Sequence, residues 1–176
     1  LQAGVVAMDP NSGHVKAWVG GIDYKYFQYD HVKQGKRQPG STFKPIVYTA
    51  AIDNGYSPCY EVVDAAVSYA VPGQIPPVWR PNNSSGKYSG EVMTIRQAMA
   101  RSVNSITAFI MSKVGPSNVV DYARKLGFTS PLNAVPSLCL GTEDVSLYER
   151  VGAYATCVNK GKSPKHAYIT KIDDKK

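Results

Sequence analysis

Two short patterns in the 176-residue sequence combine residue types that could activate a hydroxyl. The first is Ser41-Thr42-Phe43-Lys44, an S-x-x-K, and the second is Ser102-Val103-Asn104, an S-x-N. A serine hydroxyl becomes a useful nucleophile only when a base takes its proton. A lysine is such a base only when its amine is neutral, which burial against Phe43 or neighbouring cations would favour. Spacing of i and i+3 makes Ser41 and Lys44 neighbours on one helical face. Pro39-Gly40 punctuates the chain just before them, and Pro45 suits a first helical turn, where a missing N–H costs least. The reading is a helix over 41–53 with Ser41 at its start. There the positive dipole end and free N–H groups favour a developing anion.

Neither pattern is decisive alone. With this many serines and lysines, chance supplies about one S-x-x-K, and a second one exists, Ser84-Ser85-Gly86-Lys87. It lies within an evident turn over 82–90, where serine and lysine have no fixed relation. Taken by itself, the tetrapeptide favours the plainer reading, in which Ser41 caps its helix while Lys44 points to solvent. Ser102 and Asn104 lie between two expected helices, where the hydroxyl could pass a proton and the amide offers a donor and an acceptor to an amide-bearing substrate. The plainer alternative makes Asn104 or Ser105 the N-cap of the following helix. Two patterns in this order, each at a helix junction, reinforce one another.

The surrounding elements follow from periodicity and punctuation. Val5–Met8 and 14–19 are β-prone runs separated by the turn formers Asp9-Pro10-Asn11-Ser12-Gly13, so the chain opens on a hairpin. Residues 24–37 read as loop, and the proline-rich stretch 60–87 as irregular chain holding at most a short hairpin. Thr94-Ile95-Arg96-Gln97 fits a capping box, opening a helix to about Arg101. A further helix buries Ile106, Phe109, Ile110 and Val114 and stops at Gly115-Pro116; another covers 117–126. Ser146-Leu147-Tyr148-Glu149 is a second capping box, opening a helix with Leu147, Val151, Tyr154 and Val158 inward. Residues 167–172 read as a final short strand. A hairpin, a mostly helical body and a strand make an α+β fold, not an alternating βαβ one.

Composition narrows the function classes. The net charge of +7 comes from basic residues scattered along the chain, densest at 33–37 and 160–176, with no arginine-rich helix. A solvated face, or attraction to an acidic polymer, explains it, and a nucleic-acid partner is not expected. Cys59, Cys139 and Cys157 form no CxxC, and His14, His31 and His166 lack ligand spacing, so no metal and no cofactor is expected. Cys139 and Cys157 sit in apolar stretches and read as small hydrophobes. No apolar run approaches the ~18–20 residues of a membrane span.

Longer stretches give the two patterns their weight. The sequence resembles the transpeptidase domain of class A, bifunctional penicillin-binding proteins. The resemblance is carried by 2–21 (QAGVVAMDPNSGHVKAWVGG), 37–45 (RQPGSTFKP), 79–82 (WRPN), 95–104 (IRQAMARSVN), 138–142 (LCLGT) and 152–161 (GAYATCVNKG). It implies a β-lactamase/D,D-peptidase-like fold and peptidoglycan D,D-transpeptidation. Ser41 would be the acylated nucleophile, Lys44 its base and Ser102 a proton relay, with Asn104 holding the stem peptide. β-Lactam antibiotics would acylate Ser41 as mimics of D-Ala-D-Ala. The resemblance also implies a periplasmic or extracytoplasmic location, and an intact protein that is membrane-anchored and carries a glycosyltransferase domain.

One departure limits the expectation. The family's third motif, K-[ST]-G, occurs nowhere in these 176 residues. Residues 1–176 are therefore read as a partial domain: a sheet hairpin over 1–21, a mostly helical body over 41–161 and a short strand over 165–173. The K-T-G strand and remaining sheet strands are absent. A non-catalytic module that senses β-lactams or muropeptides is the alternative reading; a class A β-lactamase fits less well, because Val103 stands where S-D-N requires Asp. A polypeptide of these 176 residues alone is expected to be acylated weakly or undetectably by penicillin. Loss of a single oxyanion-hole donor already costs about 10²–10³ in rate. Rapid stoichiometric acylation seen by mass spectrometry would contradict this.

Overall fold

The computed structural model describes residues 2–71, 73 and 75–173. In chain order it contains β1 (Val5–Met8), β2 (Val15–Val19), β3 (Lys36–Arg37), α1 (Lys44–Asp53), β4 (Glu61–Val63), β5 (Tyr69–Ala70), β6 (Val78–Trp79) and β7 (Val92–Thr94). Then come α2 (Ile95–Ala100), α3 (Asn104–Val114), α4 (Pro116–Lys125), β8 (Val145–Ser146) and α5 (Leu147–Val158). The fold is mixed α and β, with helices dominating and sheets of two strands each. Two compact units are distinguishable: Leu1–Arg37 with Arg124–Ser130 and Val145–Lys176, and Gln38–Ala123 with Pro131–Asp144.

In the first unit the expected hairpin forms, β1 and β2 pairing antiparallel with Val6 opposite Trp18 and Ala7 opposite Ala17. Its turn is fixed by Asp9, whose Oδ1 accepts from the N–H groups of Asn11 (2.8 Å) and Ser12 (3.3 Å). Gly13 has φ +76°, and a Cβ there would fall on the carbonyl oxygen of Lys165, so the position takes only glycine. That contact marks what becomes of the strand expected over 165–173. The chain there makes a single parallel bridge, His14 to Ala167. Ring contacts hold the segment in place of a ladder: His166 stacks on Tyr148 with centroids 3.9 Å apart, and Tyr168 meets Trp18 edge-on at 5.8 Å.

Both capping boxes are present, Thr94 with Gln97 and Ser146 with Glu149. The inward face of α5 differs from the one its apolar residues suggest. Tyr154 and Val158 are 41% and 67% exposed, while Glu149, Ala153, Ala155 and Thr156 are buried. Glu149 explains the rotation. Its carboxylate accepts from the N–H groups of Thr129, Ser130 and Ser146 and from the hydroxyls of the same three residues, at 2.7–2.9 Å. Burial alone would push this carboxyl up, but the hydrogen bonds from Ser146, Thr129 and Ser130 bring it down to about 2. The folded value lies below the ordinary 4.5, so the stability Glu149 contributes is complete above pH ~4.5 and is lost as pH falls through ~2. Urea unfolding at stepwise lower pH should show this loss. Glu149→Gln, which strands several of these donors, should cost about 2–3 kcal/mol at pH 7.

In the second unit α3 packs on both α1 and a 3₁₀ turn, Pro136–Leu140. Val47, Ala50, Ala51, Ile106, Ile110, Leu138 and Cys139 are fully buried there. Each large aliphatic side chain so buried contributes roughly 1.5–3 kcal/mol. Strands β5 and β6 pair antiparallel as a short hairpin of the kind expected within 60–87, and β4 pairs antiparallel with β7 beyond that stretch. The 84–87 segment is an exposed turn, as expected. Cys157, expected among apolar neighbours, is exposed; Cys139 is buried.

Candidate active site

The helix read over 41–53 begins as two different structures. Gly40–Phe43 is a 3₁₀ turn, and α1 starts only at Lys44, with Pro45 in its first turn. A 3₁₀ turn has three residues per turn, which brings residues i and i+3 close along the axis. The Lys44 N–H donates to the Ser41 carbonyl. Ser41 is exposed, while Phe43 and Lys44 are 1% and 2% exposed. Ser41 does not cap α1: Phe43 occupies that position, without a side-chain cap.

Lys44 does not point to solvent. Its Nζ donates to Ser102 O (2.7 Å), Ser102 Oγ (3.0 Å) and Asn104 Oδ1 (2.5 Å). Three donors meet three acceptors, which saturates an ammonium group. None of the acceptors is charged. Burial pushes Lys44 down to about 8 from an ordinary 10.5. Cys139 is the neighbouring group that would act the other way as a thiolate, but burial pushes its thiol up to about 12, so it is uncharged at neutral pH. A buried lysine with no carboxylate partner among the described residues is an amine poised to lose its proton.

Ser102 accepts with both its carbonyl and its hydroxyl because of how α2 ends. Val103 N donates to Ala98 O (2.9 Å) and Ser102 N to Met99 O (3.0 Å), the paired bonds of a Schellman turn. Ser102 therefore sits where glycine is usual, with φ +55°. A left-handed serine costs about 1–2 kcal/mol, a strain of the kind that collects at functional sites.

Neither Asn104 nor Ser105 caps α3. Asn83, outside the helix, does so: its Oδ1 accepts from Asn104 N (2.9 Å) and Ser105 N (3.1 Å). That frees the Asn104 side chain, whose Nδ2 donates to Asn82 O (2.7 Å) while Oδ1 faces Lys44. The sequence pointed to residues 79–82 only as a matching stretch, without a role; Asn83 was missed. The start of the 3₁₀ turn is also braced. Gly40 N donates to Gly141 O (3.3 Å), and a Cβ on Gly141 would collide with the Gly40 backbone. The glycine of 138–142 is thus needed for close approach to the residue before Ser41.

A buried amine held by Ser102 and Asn104 can accept and return a proton, and the exposed Ser41 lies three residues before it in the chain, joined to it by a backbone hydrogen bond. The model of the penicillin-binding protein transpeptidase domain matches residues 3–176. The chain belongs to this family. It is 36% identical over 174 residues to penicillin-binding protein 2D of Bacillus subtilis, covering 99% of the chain and 25% of that relative. It is 38% identical over 176 residues to penicillin-binding protein 1A of Neisseria meningitidis, covering 99% of the chain and 22% of that relative. The chain thus spans a quarter or less of the length of these curated relatives. Among solved structures, penicillin-binding protein 1A from Haemophilus influenzae superposes with a TM-score of 0.82 at 28% identity, over 88% of this chain and 23% of that one. PonA1 from Mycobacterium tuberculosis, solved also with penicillin V, superposes at 0.78 and 25% identity, over 93% of this chain. Among the described residues no helix is long and apolar enough to cross a membrane.

Proposed function

We propose that this transpeptidase domain cross-links peptidoglycan as a serine-type D,D-transpeptidase, through an acyl-enzyme at Ser41. The observation that carries the reading is the placement of the buried Lys44 amine against Ser102 and Asn104, one 3₁₀ turn from an exposed serine.

The chemistry follows in order. Deprotonated Lys44 takes the Ser41 hydroxyl proton as Oγ bonds to the carbonyl carbon of the penultimate D-Ala of a stem peptide. The C–N bond to the terminal D-Ala breaks, and its nitrogen receives a proton relayed from Lys44 through the Ser102 hydroxyl. An amino group from a neighbouring stem then bonds to the ester carbonyl carbon and loses its proton along the same relay to Lys44; the C–Oγ bond breaks as Lys44 returns a proton to Ser41. Asn104 offers the stem peptide an amide in a fixed orientation. β-Lactams present the same acyl bond in a strained ring and stop at the ester. The intact protein is anchored at the extracytoplasmic face of the membrane, beside a glycosyltransferase domain that supplies glycan strands.

Incubating the intact protein with a pentapeptide ending in D-Ala-D-Ala tests the reading. Catalytic release of D-Ala with formation of a cross-linked product is expected. Acylation limited to one equivalent, without release of product, would instead make this a β-lactam or muropeptide sensor.

A further inference from the structure

Beyond the residues that meet the reacting atoms, a buried carboxylate lies behind Asn104. Asp64, at the end of β4, is 4% exposed. Its Oδ1 accepts from Ser105 Oγ (2.5 Å) and Asn83 Nδ2 (2.8 Å), and its Oδ2 from Ser89 N (2.8 Å) and Ser89 Oγ (2.9 Å). All four donors are neutral. Burial alone would push this carboxyl up, but the hydrogen bonds from Ser105, Ser89 and Asn83 hold it below the usual carboxylate range, so Asp64 is charged at neutral pH.

A carboxylate can only accept, and that orients the amide of Asn83. Asn83 turns its Nδ2 towards Asp64 and the Lys87 carbonyl (3.2 Å), which leaves its Oδ1 for the N–H groups of Asn104 and Ser105. The start of α3 is thereby pinned beside Asn82, whose carbonyl can only accept and so takes the Nδ2 of Asn104. Asn104 is left with its Oδ1 towards Lys44. Reverse either amide and a donor faces the lysine or the helix N–H groups.

We infer that Asp64 is a positioning residue for this site, acting through Asn83 to hold the start of α3, and with it the Asn104 amide, in place against Lys44. The inference rests on the proposed acylation chemistry for its consequence, but its geometry can be tested without turnover. Asp64→Asn keeps the shape and removes one acceptor, so either the Ser89 N–H or Asn83 Nδ2 meets a donor. The double variant Asp64→Asn/Asn83→Asp restores the polarity. Its carboxylate at position 83 accepts from the amide introduced at position 64 and from the two helix N–H groups, and the hydroxyl of Ser105 reorients to accept; the exposed Lys87 carbonyl loses Asn83 Nδ2 and keeps its bond from Ser85 Oγ.

The experiment pairs two readouts on the same proteins: the pH titration of the Lys44 Cε signal by NMR, and the rate constant of acylation by penicillin. Asp64→Asn should lower the titration midpoint of Lys44, because its ammonium loses the Asn104 acceptor, and slow acylation about 10–100-fold, the usual scale for loss of a supporting partner. Cys139, the titratable group beside Lys44, is untouched by these changes. The double variant should recover both. Glu149→Gln serves as a destabilised control in the other unit and should leave the Lys44 midpoint unchanged. An unmoved midpoint in Asp64→Asn, or a shift that the double variant fails to reverse, would overturn the inference. Lack of acylation in the unmutated protein, alongside the expected midpoint shifts, would instead refute the proposed function and leave the positioning role standing.

Discussion

Ser41→Ala is expected to abolish covalent labelling of the intact protein by a fluorescent penicillin, with residual modification at least about 10³-fold slower. Loss of the attacking atom removes the acyl-enzyme itself, and catalysis by the remaining groups cannot replace it. The effect on stability should be small, since Ser41 is exposed and supports the 3₁₀ turn through its backbone carbonyl. An unchanged thermal midpoint with lost labelling separates a chemical role from a structural one. Other hydroxyls and thiols make the test meaningful. Ser84 lies in an exposed turn, Cys59 and Cys157 are exposed, and Ser102 already contacts Lys44. If any of these were the acyl acceptor, labelling of the alanine variant would persist.

Lys44→Met should be nearly as damaging, lowering the acylation rate constant by about 10²–10⁴, the range associated with a general base. Methionine fills similar buried volume, so loss of the amine, more than collapse of the helix, sets the result. Arginine should fail as well, because a guanidinium keeps its proton at any accessible pH. The sign of the pH dependence follows from which form works. The neutral amine is the base, so below about 8 the rate should fall about tenfold per pH unit and above 8 it should level off. At pH 7 roughly one Lys44 in ten is neutral, against fewer than one in a thousand for a lysine of ordinary pKa. A stopped-flow acylation profile that is flat from pH 6 to 9 would exclude Lys44 as the proton acceptor.

The reactive set could be read from the sequence because its parts sit at element junctions with strong local signals. Pro39-Gly40, Pro45, the Thr94 capping box and the two S-containing patterns are local features, and local features survive in a linear reading. The switch from 3₁₀ to α geometry at Lys44 was not legible, because both turns tolerate the same residues, and the brace at the start of the turn comes from Gly141, about a hundred residues away. The face of α5 was misread for a related reason. Apolar periodicity predicts burial only where burial is apolar, and here a carboxylate with six neutral donors occupies the inner face. Asn83 and Asp64 gave no pattern at all. A cap supplied from a distant loop and a charge without a cation leave no spacing to detect.

The most direct test of the account is to locate the penicilloyl group itself. Trypsin leaves Lys44-Pro45 and Arg80-Pro81 uncut, so one peptide, 38–87, carries both S-x-x-K serines, and fragmentation within it must assign the adduct. A single adduct per molecule of the intact protein, on Ser41, is the predicted result; an adduct on Ser84, on Ser102 or on a cysteine would contradict it.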